Sequence, residues 1–448
     1  MSTPLDNLPL ETFQEILSHV NDLESLRTAS AVSRVWQEHF QPKLFKTSVV
    51  TITLDTEEGQ AMLLELARAK VLSYIIAVQV QTTRPCDEIE FCEPILGFLP
   101  FPPALRAFLS SIPNCTSLTL KDMRWNWNAL DDRDQSAILQ VFSQIRELWL
   151  YSRDTIFTIP LSILLHAPQL KKLEVYDMPP GLYWEEEEFF PWFCLGHPNP
   201  QVQQLSIHTL SLKDTGLIAR FTDFARKHGE WRFFSEIQEL NLCFNDLGEI
   251  KRPRNTTSCG IIGSFLKNFG GNVRRLNLHI MRSEIHSGSL IPTSDLESLI
   301  HLESLEIILH VDNNEEMDIC PFPQTWLCPF LQSLPSADSI SRLLITYQLY
   351  IPEGRSPYFD KYSEPLPLLW ESLDIALGKW YALRQLEFYI DLYRRDTCED
   401  TRSEREPGAT FEQIQVYHTL ECLGKRRQPK VEIVTMSSDP KTRKENSA

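Results

Sequence analysis

No two cysteines in this chain are spaced C-x-x-C, although ten of them are spread over its 448 residues. Cys86 and Cys92 stand too far apart to form half of a zinc knuckle, and nothing else lies at ligand spacing. Scattered cysteines in so long a chain are expected to remain thiols in a reducing compartment. Long hydrophobic runs are also missing. Nothing approaches eighteen consecutive apolar residues, so no membrane span is expected. The opening residues, MSTPLDN, are polar and lack the apolar core of a signal peptide. A cytoplasmic or nuclear protein follows, and the two N-x-T triplets (Asn114–Thr116 and Asn255–Thr257) read as chance matches.

Positive charge is in short supply. Lys and Arg number 43 against 60 Asp and Glu, a net charge of −17. A nucleic-acid binder masses basic residues against phosphates, and an anionic membrane surface asks the same, so neither partner is expected. Motifs of chemistry are absent as well: there is no G-x-S-x-G, H-E-x-x-H, G-x-x-x-x-G-K-[ST] or G-x-G-x-x-G. The triplet Asp131, Asp132 and Asp134 precedes a helical pattern, where acids favour the positive end of the helix dipole. No catalytic residue, cofactor or metal is expected, and the chain reads as a non-enzyme.

What is present begins at the N-terminus with LDNLPLETFQEILSHV (5–20). Pro9 suits a first helical turn, with Asn7 upstream as a candidate cap, and Phe13, Ile16, Leu17 and Val20 share one face. Asp22 can cap a second helix bearing Leu23 and Leu26. A third stretch carries Val32, Val35 and Trp36. Three helices in about forty residues cannot bury a stable core alone, so a partner or neighbouring domain should cover them.

The order Leu8-Pro9, Glu11, Ile16-Leu17, Val20, Leu23, Leu26, Val32-Ser33-Arg34 and Trp36 resembles the F-box, the three-helix module of cullin-type ubiquitin ligases. Ser33 departs from the Cys common there. The resemblance covers about a tenth of the chain. It implies that Leu8, Pro9, Phe13, Ile16, Leu17, Val20, Leu23, Leu26, Val32 and Trp36 dock onto the adaptor subunit Skp, and through it onto a cullin.

From residue 46 the chain changes character. A six-residue phrase recurs: apolar, two polar, apolar, any, apolar. It reads CTSLTL (115–120), IRELWL (145–150), LKKLEV (170–175), VQQLSI (202–207), IQELNL (237–242), VRRLNL (273–278), LESLEI (302–307), ISRLLI (340–345) and LRQLEF (383–388). VVTITL (49–54) and IIAVQV (75–80) are looser copies, and successive phrases stand 25 to 43 residues apart. Between them lie helical patterns such as 134–145, 261–269 and 369–383. A strand at each phrase with a helix returning to the next is the unit of a solenoid. IQELNLCFNDL (237–247) resembles the full leucine-rich-repeat phrase, with Asn245 in the Asn position; the other copies lack that Asn. The expected fold is therefore α/β: a small three-helix F-box over 1–45, an irregular leucine-rich-repeat-like solenoid over 46–436, and a disordered tail over 437–448.

Residues alternating with the apolar positions should face outward and bind a protein target. Trp149, Tyr151, Glu174, Tyr176 and His208 are the candidates, with Glu174 expected to favour a basic or amide-bearing group. Asn241, Asn277, His279, Glu306, Glu387 and Tyr389 continue the series. The insertion 179–200, with Glu185–Glu188 between aromatics, could grip a basic peptide or pack the solenoid edge. Residues 396–409 read as a charged loop, and Lys425-Arg426-Arg427 as a helix end. The function implied is substrate recognition in a cullin-type ligase. The alternatives are a scaffold acting with the adaptor outside any ligase, or an undetected hydrolase.

Overall fold

A computed structural model describes residues 8–20, 22–68, 70–82, 101–121, 123, 130–151, 161–176, 206–213, 218, 221–222, 234–244, 258–281, 293–311, 327–351, 372–373 and 375–394. The segments 179–200, 396–409, 425–427 and 437–448 lie outside them. The chain divides into two compact units, Met1–Ile207 and His208–Ala448. The division does not fall at residue 45: the N-terminal helices belong to the same unit as the first strands.

Those helices are α1 (Leu10–His19), α2 (Leu23–Val32) and α3 (Arg34–Thr47). Pro9 is the residue before α1 rather than its first turn, and no side chain caps that end. Asp22 does cap α2, accepting from the Ser25 N–H at 2.7 Å. Ser33 caps α3, accepting from the Trp36 N–H at 3.4 Å. Leu26 and Phe40 are fully buried between the helices, with Leu8, Ile16, Leu17, Val20, Ala29, Val35, Trp36 and Leu44 packed around them. Trp36 stacks on Phe40 at 5.2 Å. Lys43 Nζ donates to the Leu17 carbonyl at 2.5 Å, satisfying one of the carbonyls that the last turn of α1 leaves open. A small core does form, and α3 also packs against the 3-10 turn Lys70–Tyr74, a neighbour within the same unit.

The first unit then carries five strands: β1 (Val49–Thr53), β2 (Ala77–Gln81), β3 (Ser117–Lys121), β4 (Glu147–Tyr151) and β5 (Lys172–Tyr176). The second carries β6 (Thr209–Leu212), β7 (Glu239–Phe244), β8 (Arg275–Met281), β9 (Ser304–Val311), β10 (Arg342–Ile351) and β11 (Gln385–Arg394). Within each unit every strand pairs in parallel with the next in the chain, without crossovers. Parallel strands added in chain order, each preceded by a return segment, make an α/β solenoid of leucine-rich-repeat-like coils.

The register follows the phrase. Its fourth position aligns Leu118, Leu148 and Leu173 in the first unit. Leu210, Leu240, Leu276, Leu305, Leu343 and Leu386 align in the second. All are buried, as are first-position residues such as Cys115, Ile145, Leu170, Ile237 and Leu383. Burying each such Leu is worth about 1.5–3 kcal/mol. Cys115 fills a leucine's place, and burial pushes its thiol up to about 12.

Two copies need correction. Most of VQQLSI (202–205) lies outside the described residues, and 206 and 207 are not in a strand; β6 arises from IHTLSL (207–212), which has the same apolar spacing five residues later. In the first copy, Val50 and Ile52 pair with Val78 and Val80, so the phrase occupies 47–52 rather than 49–54.

Coils are also joined at the strand starts. The carbonyl at the second phrase position accepts from two consecutive amides of the following coil. Thr116 O takes Arg146 N at 2.7 Å and Glu147 N at 3.0 Å, and Gln238 O takes Arg274 N at 2.8 Å and Arg275 N at 2.9 Å. The side chain just before the phrase reaches back to a carbonyl of the preceding coil: Asn114 to Ser73 (2.7 Å), Gln144 to Ile112 (2.9 Å), Asn272 to Ser235 (2.5 Å) and Ser339 to Leu302 (2.8 Å). Polar backbone at the corners is thereby paired, as burial demands.

Candidate functional site

Strand alternation turns the third, fifth and seventh positions of each phrase away from the apolar core. On β4 and β5 the register sets Glu147 beside Lys172, Trp149 beside Glu174 and Tyr151 beside Tyr176. Four of the five expected target-binding residues are thus neighbours. Tyr151 and Tyr176 stack with ring centroids 4.4 Å apart and planes 21° apart. Lys172 Nζ lies 5.2 Å from the centre of the Trp149 ring, within cation–π range.

Glu174 ties the group together. Its carboxylate accepts from the Tyr176 hydroxyl at 2.6 Å and pairs with Lys172 Nζ at 2.7 Å. Only 8% of the residue is exposed. Burial by itself would raise its pKa, but Lys172, Tyr176 and the Trp149 indole favour the charged form, and together they hold the carboxyl below the ordinary range. Burial and the same carboxylate push the Tyr176 hydroxyl well above the usual tyrosine range, and Tyr151 is raised in the same sense. One carboxylate oxygen is met by Lys172 and the other by the Tyr176 hydroxyl, so Glu174 links the side chains on either side of it. Lys172 was not among the sequence candidates, yet its third position in LKKLEV turns it outward by the same alternation.

His208 is not part of this row. It lies in the second unit, at the second position of IHTLSL, where its carbonyl accepts from Gln238 N (2.8 Å) and Glu239 N (3.0 Å). Its imidazole faces Glu236 at 3.4 Å. The shifted phrase moves His208 from the end of a strand to its beginning.

In the second unit several of the outward positions are polar. The Asn277 amide donates to the Asn241 side-chain oxygen on the neighbouring strand. Glu387, buried to 7% exposure, accepts from the Gln385 amide and pairs with Arg342 at 3.4 Å. The register places Cys243 beside His279, Glu306 beside Asn277 and Tyr389 beside Thr346.

The other expected surface is N-terminal. Leu26 is fully buried and cannot dock a partner; it belongs to the three-helix core. Leu8, Ile16, Leu17, Val20 and Trp36 are partly buried in the same packing. Pro9 is exposed, and Leu23 and Val32, at the two ends of α2, are 39% and 44% exposed. The Phe13 side chain lies outside the described residues.

The acidic triplet behaves as a helix start. Asp131 caps the helix Asp132–Phe142 through the Asp134 N–H at 2.8 Å, and Arg106 lies 3.4 Å from Asp131 and 3.2 Å from Asp134. Among the described residues no three His, Cys, Asp or Glu side chains converge as a metal site. No described helix is long and apolar enough to cross a membrane.

No protein-family model matches the chain, and no curated protein matches it. Among solved structures, a leucine-rich-repeat protein of Leptospira interrogans aligns over 88% of this chain and 96% of its own. The identity is 10% and the TM-score 0.17, a superposition that carries no argument. The leucine-rich-repeat-like character of the fold rests on its own strand register and buried phrase positions.

Proposed function

We propose that this chain is the substrate-recognition subunit of a cullin-type ubiquitin ligase. In this reading the N-terminal helices bind the Skp adaptor, the solenoid selects a protein target, and the chain itself makes and breaks no bond. Holding target and ubiquitin-loaded enzyme together raises their effective concentration, and that is its mechanism.

The observation that carries the reading is the exposure of Leu23 and Val32, at the two ends of α2, in a helix trio whose small core is formed by Leu26 and Phe40 with the apolar residues packed on them. These two apolar side chains are left open to a partner. Support for the second half comes from the Trp149, Tyr151 and Tyr176 cluster. Its rings are held by Glu174 and Lys172 before any partner arrives, and rigid aromatics are the residues that anchor protein interfaces.

One variant in two assays tests the division of labour. Trp149→Ala should lower target capture, by about 2 kcal/mol or more, while adaptor capture is unchanged. Equal loss in both assays would show that the aromatic cluster serves the fold and not the target.

A further inference from the structure

Several outward groups of β1–β5 are matched to one another. Gln79 donates to Gln81 at 2.8 Å, and Gln81 to Thr53 at 3.3 Å. Lys172 and Glu174 cancel. Two charges remain without a hydrogen bond or ion pair to any described residue, Lys121 and Glu147. They sit at opposite ends of the aromatic cluster. Lys121 is beside Tyr151 at the C-terminal end of the strands. Glu147 is four residues earlier on β4, about 13 Å away along the strand, and beside Lys172. The cluster therefore presents a neutral aromatic centre, an unmatched cation at one end, and a carboxylate beside an ammonium at the other.

Resting on the reading of this cluster as the target site, we infer that its occupant is an extended acidic segment of a protein target: an Asp or Glu on Lys121, next to an apolar side chain on Tyr151 and Tyr176. The sign is opposite to the one that an open Glu174 would select. A basic residue at the centre would meet the Lys172 ammonium already seated over Trp149 and would find the Glu174 carboxylate taken. A phosphorylated residue is disfavoured because its near-double charge asks for two or more cations or a helix N-terminus, and among the described residues the C-terminal end of this face offers one ammonium, Lys121. A single carboxylate matches a single lysine.

The test pans a displayed library of random heptapeptides on the full chain and on three variants. Wild type should enrich peptides with Asp or Glu next to an aliphatic or aromatic residue. Lys121→Arg should keep that preference. Lys121→Glu should reduce binding of the enriched peptides about tenfold, since like charges then face each other. Trp149→Ala should abolish enrichment. Enrichment of Lys- or Arg-bearing peptides overturns the acidic occupant, and acidic peptides indifferent to Lys121→Glu but lost in Trp149→Ala overturn its pairing with Lys121; both leave the site standing. Enrichment that survives Trp149→Ala overturns the site itself.

Discussion

Tyr176 donates its hydroxyl hydrogen bond to Glu174, two residues earlier on the same face of β5, at 2.6 Å. That bond turns the ring onto Tyr151 and fixes the spacing of the aromatic pair. Removing the carboxylate should therefore loosen rings it never stacks against. Glu174→Gln is expected to weaken the near-ultraviolet circular dichroism of the aromatics and to cost about 1–2 kcal/mol, because charged hydrogen bonds are replaced by weaker neutral ones. The pH dependence has a definite sign. The folded-state pKa of Glu174 is depressed, so its contribution is present above the unfolded carboxylate pKa and is lost as pH falls through the folded value. The stability gap between wild type and Glu174→Gln should be widest near neutrality and close below about pH 4. A gap independent of pH would mean that the carboxylate is not held in its charged form.

Two glycines offer a matched pair of backbone tests. A Cβ added at Gly59 in the helix Glu57–Arg68 would stand 1.7 Å from the Thr53 carbonyl oxygen, a main-chain atom that cannot swing aside. At Gly271 an added Cβ would meet nothing within 4 Å. Gly59→Ala should destabilise the first unit by about 2 kcal/mol or more through overpacking, whereas Gly271→Ala should be neutral or mildly stabilising. Thermal unfolding of both variants checks the contrast, and equal midpoints would contradict it.

The shifted phrase makes its own prediction. Leu210 is fully buried at the fourth position of IHTLSL and aligns with Leu240. Leu210→Asp places an unmatched charge in the core and should unfold the second unit locally or wholly, as should Leu240→Asp. A soluble Leu210→Asp variant with an unchanged midpoint would remove β6 from the repeat.

These residues show what could be read from the sequence. Leucines at the fourth position and apolar residues at the sixth identified β3, β4, β5 and β7–β11, because period-2 burial leaves a visible trace. Between 202 and 212 that trace is ambiguous. VQQLSI and IHTLSL satisfy the same spacing, and the choice falls to backbone bonds from Gln238 and Glu239 to His208, which no hydropathy pattern encodes. The burial of Glu174 was hidden for a related reason: alternation gives the face, but the cover supplied by Lys172, Trp149 and Tyr176 comes from flanking side chains. In the N-terminal helices each apolar stripe was legible. Which stripe packs on its neighbours and which stays exposed depends on the helix crossings, so Leu26 and Leu23, three residues apart on α2, have opposite fates.

That difference supplies the most direct test of the central claim. The full chain is mixed with purified Skp adaptor and cullin, and the assembly is followed by size-exclusion chromatography, for wild type and for a Leu23→Asp/Val32→Asp double variant. Both positions are exposed, so the variant should fold with an unchanged thermal midpoint. Wild type is expected to co-elute with adaptor and cullin together, and the double variant to elute alone. A folded double variant that still co-elutes at wild-type strength, or a wild-type chain that binds neither subunit, would contradict the account.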